Sequence, residues 1–289
     1  MNRIPFAKRL KNAFIDIEKE YKRLYELFYQ REHVCAISGY IFTLKDICEE
    51  RFLDMSETFR DTCISLKDFN KQHGFKFPAK PQKTDTNLLV SFGEYSYNLL
   101  LNCMYSGIDD CFNSEVREAE NEYLRHIDIL VEKIGYMLCE KEGVFEIVPK
   151  DQAAISVSEI VDDDLSYRVI EYNHQSMRGD IEGKKAILLK LAEKLEPLRK
   201  QLEECDQKFE NDLFYLLNYL NIRHNNIVKG SSKYEPYVAE MDKDTLEKWY
   251  DETYQMSLLA FLRLDHVDRK KHVDELKKAM EEKKRNSKM

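Results

Sequence analysis

Along most of this chain apolar residues recur every three or four positions between charged neighbours, the period of helices that bury one face. Phe6, Leu10, Phe14, Ile17, Tyr21, Leu24 and Phe28 draw such a stripe and predict a helix over 6–30. One or two further helices are expected between about 41 and 70. The period then breaks at His73-Gly74-Phe75-Lys76-Phe77-Pro78-Ala79-Lys80-Pro81, where two prolines forbid a continuing helix, and this segment reads as a loop or boundary. Asn87 to Tyr105 is apolar and aromatic on most of its circumference and predicts a buried helix. Residues 114–140 predict another, with Ser114 as N-cap before a Glu-rich first turn and Leu124, Ile127, Leu130, Val131, Ile134 and Leu138 facing inward. Gly143 to Pro149 is the one convincing strand signal, short and bounded by breakers. Asp162-Asp163-Asp164 caps a helix to about Gln175, and Gly179-Asp180 opens one from Ile181 to Glu196. Pro197 starts a helix running to about Asn226, and Asp242 or Asp244 opens the last, Thr245 to Leu264. The expected fold is all-α, a bundle of long antiparallel helices with at most one short β-hairpin or strand.

Composition agrees with that picture. The chain has 289 residues, 43% hydrophobic and 34% charged, so it is neither disordered nor fibrous, and 9 Gly with 6 Pro leave little punctuation for many strands. No apolar run reaches membrane length and the N-terminus lacks a secretion signal, so a cytoplasmic protein with no membrane partner is expected. The 7 Cys form no C-x-x-C pair and read as small hydrophobes, with no zinc knuckle and no disulfide framework. A formal charge of -8 repels polyanions on average, so any nucleic-acid contact must come from a local basic patch. From Arg263 onward ten Lys/Arg stand against six Asp/Glu, a mixed-sign run that reads as a solvated terminal helix.

Chemistry concentrates in one stretch. Phe209, Leu213, Leu216, Leu217 and Leu220 form a core stripe, and beside it Asp212, Tyr215, Tyr219, Arg223 and Asn226 recur at helical spacing as a second, polar and aromatic one. Arg223, His224, Asn225 and Asn226 then crowd the helix end before the loop Lys229-Gly230-Ser231-Ser232. A guanidinium clamps phosphate, an imidazole exchanges protons near neutral pH, and amides orient what lies between. Those groups suffice to bind RNA, or to cleave it without a metal by drawing the proton from a 2′-hydroxyl that attacks the adjacent phosphorus.

The helix ending Leu220-Asn221-Ile222-Arg223-His224-Asn225-Asn226-Ile227-Val228-Lys229-Gly230, followed by a loop and the helix Leu246 to Leu264, resembles the last two helices of HEPN domains. These all-helical modules occur in abortive-infection, toxin and CRISPR-associated ribonucleases, and pair an Arg, a polar residue and a His across a homodimer. The resemblance covers at most 113–264 and leaves an N-terminal helical region, 1–112, of unknown role, followed by a HEPN-like bundle, 113–289, with a charged C-terminal helix. It implies an RNA-binding protein or metal-independent endoribonuclease acting in phage defence as a homodimer, with no cofactor. Arg223 fits the arginine position and His224 the polar one. The positions of the family's histidine hold Ile227, Val228, Lys229 and Gly230, so three readings stand: His224 as acid or base, Lys229 as phosphate contact in its place, or binding without cutting. The expected catalytic set is Arg223, His224 and Asn226, and the expected substrate contacts are Tyr219, Asn225 and Lys229.

A second cluster, Asn173-His174-Gln175-Ser176-Met177-Arg178, suggests that His174 and Arg178 add to the RNA-facing surface. Asp162, Asp163 and Asp164 read as caps rather than metal ligands. His126 reads as packed or solvated, and Trp249, Tyr250 and Tyr254 as core or dimer face. No G-x-x-x-x-G-K-[ST] or G-x-G-x-x-G occurs, which argues against nucleotide-dependent phosphoryl transfer. The competing reading is a non-catalytic helical interaction or regulatory protein.

Overall fold

The computed structural model describes residues 15–36, 38–105 and 113–286. The fold is mostly helical, as expected, but the described residues hold two short antiparallel strand pairs where at most one was expected, and the chain falls into two compact units, 1–149 and 150–289.

In the first unit α1 (Ile17–Tyr29) is capped by Asp16, whose carboxylate accepts the Lys19 amide at 3.1 Å. The expected start of this helix, 6–14, lies outside the described residues. A two-residue ladder, β1 (His33–Val34) with β2 (Ile41–Phe42), leads into α2 (Leu44–Glu50) and the short helices α3 (Glu57–Arg60) and α4 (Leu66–Gln72). The breaker segment 73–81 is a loop within this unit rather than a boundary: the Tyr21 hydroxyl donates to the Pro78 carbonyl at 2.9 Å, and the Phe77 ring lies 5.1 Å from Phe92 and 5.0 Å from Tyr95. Phe92 and Tyr95 belong to the long buried helix α5 (Thr86–Tyr105).

The helix predicted for 114–140 is two elements. α6 (Asn113–Lys133) ends before Gly135, whose φ of 78° is the left-handed conformation that closes a helix. Strand β3 (Tyr136–Lys141) then pairs antiparallel with β4 (Val144–Pro149) across Glu142 and Gly143, both at positive φ, as a two-residue hairpin turn of this hand requires. The hairpin's edge is covered by α5: Asn98 accepts the Phe145 amide at 2.8 Å and donates to its carbonyl at 2.7 Å, and Glu94 accepts the Ile147 amide at 2.6 Å. Ala119, Tyr123, Ile127, Val131 and Ile147 share one core with α1 and α5. Hence the division of the chain follows the hairpin at Pro149, not residue 112, which lies among the undescribed 106–112.

The second unit begins with α7 (Gln152–Ser158) and α8 (Asp163–Glu171). Asp162 caps α8 through the Leu165 amide at 3.2 Å, and Asp164 pairs with Lys190 at 3.1 Å, so these acids cap and pair; among the described residues no group of three or more His, Cys, Asp or Glu is placed to hold a metal. α9 (Ile181–Leu195) packs its Ile187, Leu188, Leu191 and Leu195 into the core. The single helix predicted from Pro197 is interrupted. A 3-10 turn holds Pro197, α10 (Arg199–Cys205) follows, and Asp206 ends it and caps α11 (Gln207–Tyr219) by accepting the Phe209 amide at 3.0 Å. After α12 (Pro236–Ala239) comes α13 (Lys243–Asn286), which runs past its predicted end at Leu264. Tyr250 and Tyr254 are core, whereas Trp249 is 42% exposed. From Asp265 on, α13 is solvated and carries short-range pairs such as Lys271–Asp268 at 2.7 Å and Lys277–Asp274 at 3.3 Å. No described helix is long and apolar enough to cross a membrane.

Candidate functional site

α11 stops because Asn221 takes a φ of 58°, a left-handed conformation that asparagine tolerates better than any β-branched or bulky residue. The turn is then locked by a reciprocal pair. Asn226 Oδ1 accepts the Asn221 amide at 2.9 Å, Asn221 Oδ1 accepts the Asn226 amide at 3.2 Å, and Asn226 Nδ2 donates to the Lys233 carbonyl at 2.7 Å. Asn226 is fully buried with its side chain spent on backbone groups. It staples the 220–235 loop and does not reach the face where a substrate would lie, a correction to its expected catalytic role. The polar stripe read from the sequence is therefore helical only as far as Tyr219.

Arg223 is half-buried. Its Nη1 lies 2.6 Å from Glu196 Oε2 and donates to Asn218 Oδ1 at 3.1 Å. Glu196, which belongs to no motif or stripe, is thus the residue that holds the guanidinium. The side chains are 23% and 41% exposed, so water screens the pair and it contributes about 1 kcal/mol or less. His224, Asn225 and Lys229 are exposed on the loop that follows. Tyr215 and Tyr219, one turn apart on α11, stack with centroids 4.7 Å apart and planes at 30°, and Tyr215 is 61% exposed. The structure thus assembles an aromatic pair with Tyr215 outermost and Tyr219 half-buried, a loop bearing an imidazole, an amide and an ammonium, and an arginine engaged by its own chain.

His174 and Arg178 stand apart from this assembly. They flank the 3-10 turn Gln175–Met177, which His174 caps through the Ser176 amide at 3.2 Å, immediately before Asp180 opens α9. Glu196 follows the other end of α9, whose 15 residues span about 22 Å. The two clusters occupy opposite ends of one helix and do not form one surface patch.

Beside the 174–180 turn lies a network absent from the sequence reading. Lys184, 5% exposed, places Nζ 2.7 Å from Glu247 Oε1 and 2.6 Å from Asp251 Oδ1. The Gly179 amide donates to Glu247 at 2.8 Å and the Tyr172 hydroxyl to Asp251 at 3.0 Å. Tyr172 stacks on Tyr254 at 3.9 Å, and Tyr254 donates to the Val169 carbonyl at 2.6 Å. The Lys184 ammonium, then the Gly179 amide, hold the Glu247 carboxyl below its ordinary range. Every donor and acceptor here ties α8, α9 and α13 together. The only sequence signal was a lysine on the apolar face of α9, four residues after Asp180.

No protein-family model, no curated protein and no solved structure matches this chain.

Proposed function

We propose that the 150–289 unit is a HEPN-like RNA-binding module that holds a single strand on the Tyr215–Tyr219 pair and the adjoining loop. The observation that carries this reading is the exposed Tyr215, stacked on the half-buried Tyr219, leading into exposed His224, Asn225 and Lys229. Aromatic faces accept bases of any sequence, and nearby cationic and amide groups serve the phosphates. Arg223 joins them when a phosphate displaces Glu196, an exchange made cheap by the half-exposed setting of that pair. Cleavage would need Arg223 released and a second copy of the chain to double the cluster, with His224 as acid or base. A cytoplasmic role in phage defence goes with this reading. The Arg223–Glu196 pair also favours a second one, a non-catalytic helical interaction protein in which the same groups only finish a helix end.

The two readings separate in one experiment. Fluorescence anisotropy with a labelled single-stranded RNA of about a dozen nucleotides should show saturable binding that weakens roughly tenfold in Tyr215→Ala. In EDTA, gel analysis should show the RNA intact with wild type and cut only once Glu196→Gln frees Arg223. Absence of binding by wild type, or binding indifferent to Tyr215→Ala, would sink the RNA reading.

A further inference from the structure

The first unit holds a pocket of about 210 Å³ that plays no part in the function proposed above. It arises from α6, where Ala119, Glu122, Tyr123 and His126 fall at i, i+3, i+4 and i+7 and so share one helix face. Opposite that face stand Arg31 after α1, His33 on β1 and Leu44 at the start of α2. The floor is apolar, with Leu44 1% and Tyr123 2% exposed.

The polar groups at the rim are held in place. The His33 ring stacks on Phe42, its partner across the β1–β2 ladder, at 5.4 Å and 19°. Burial, and then Arg31, push the His33 imidazole below its ordinary range, so near pH 7 it is a neutral ring with one N–H to give. His126 Nε2 is buried 3.5 Å from Glu20 Oε2, without a hydrogen bond, and Glu20 is itself gripped by Arg23 at 2.8 and 2.9 Å. Arg31 lies 3.2 Å from Glu122, which neutralises the one acid of the lining. Arg125 is exposed at the mouth and, among the described residues, makes no hydrogen bond or ion pair. A guanidinium without a counter-charge, the fixed His33 imidazole and an apolar floor within one small concavity form the recognition set for an anion carried on an apolar body.

We propose that this pocket binds a small phosphomonoester, with its phosphate on Arg125 and His33 and its apolar part against Leu44 and Tyr123. Phosphate is favoured over carboxylate because it offers three oxygens to donors arriving from α6 and β1. The volume lies below the roughly 300–1,000 Å³ of pockets for drug-sized ligands, which suits a small ligand.

Phenyl phosphate is the probe, titrated into the full-length protein and followed by calorimetry and ligand-observed NMR, with benzoate, benzyl alcohol and inorganic phosphate alongside. Phenyl phosphate should saturate with a Kd of about 1 mM or tighter, ahead of all three. Arg125→Ala should weaken it at least tenfold with an unchanged melting curve, and Ile129→Glu, at another exposed lining position, should weaken it as strongly through charge repulsion. Tyr215→Ala should leave it untouched, which separates this site from the RNA surface. No saturation by about 10 mM, affinity unaltered in both pocket variants, or benzoate binding as tightly as phenyl phosphate would each overturn the assignment.

Discussion

Lys184 in the second unit and Glu120 in the first are both withdrawn from water, at 5% and 0% exposure, and the surroundings treat them in opposite ways. Lys184 meets two carboxylates within 2.7 Å, and they in turn accept from Gly179 and Tyr172, so the group is fully paired and joins helices. Neither oxygen of Glu120 has a hydrogen-bond partner, and its nearest cation, Arg51, stands 3.9 Å away. Burial therefore pushes the Glu120 carboxyl up to about 7, with Arg51 and Arg117 only opposing. A buried ionisable group serves as a structural tie where ligands of opposite sign are built around it. Where they are not, the proton becomes the partner.

The largest effect expected from this contrast is on Lys184. Lys184→Ala strands Glu247 and Asp251 and should cost about 3 kcal/mol in chemical denaturation of the second unit, while Lys184→Met, which keeps the stem, should cost less. A loss below about 1 kcal/mol in both variants would show that the network is dispensable. Glu120 supplies an effect of similar size that depends on pH. A carboxyl whose value is raised from 4.5 when unfolded to about 7 when folded stabilises the fold fully below the lower value and loses that contribution as pH rises through the upper one. Thermal melts of wild type should therefore weaken between about pH 4.5 and 7, by up to about 3 kcal/mol. Glu120→Gln should flatten that slope and be the more stable protein at pH 8, and an identical slope in the variant would reassign the titration to another group. The smallest effect is at a neutral group. Asn226→Ala leaves the Asn221 amide and the Lys233 carbonyl without partners and should cost about 2 kcal/mol by denaturant titration, with RNA binding weakened only as far as the loop loosens.

The helices most readable in the sequence are those with a single apolar face, such as α1 and α9, because periodicity reports burial directly. It does not report what the face is buried against. Leu124, Ile127 and Val131 identified α6 as a packed helix, yet nothing local said that it joins α1 and α5 rather than the later bundle. Strand β3 was hidden because Ile134 and Leu138 keep a four-residue spacing across Gly135, where the backbone has already left the helix. The break at Asp206 was masked by good helix formers on both sides. In the candidate site the sequence located Tyr219, Arg223, His224, Asn225 and Lys229 together. It could not show that Glu196, far back in the chain, grips Arg223, or that Asn226 turns inward, because an amide at a helix end serves loop or ligand equally well.

The run of α13 beyond Leu264 has a thermal consequence. A helical segment whose residues are nearly all exposed is marginal in water, and side-chain pairs one turn apart, such as Lys271–Asp268 and Lys277–Asp274, add little to it. Warming should unwind this rod from its tip inward well before the bundle melts. Far-ultraviolet circular dichroism would then fall in a shallow early phase that near-ultraviolet signals from the packed Tyr250 and Tyr254 do not share.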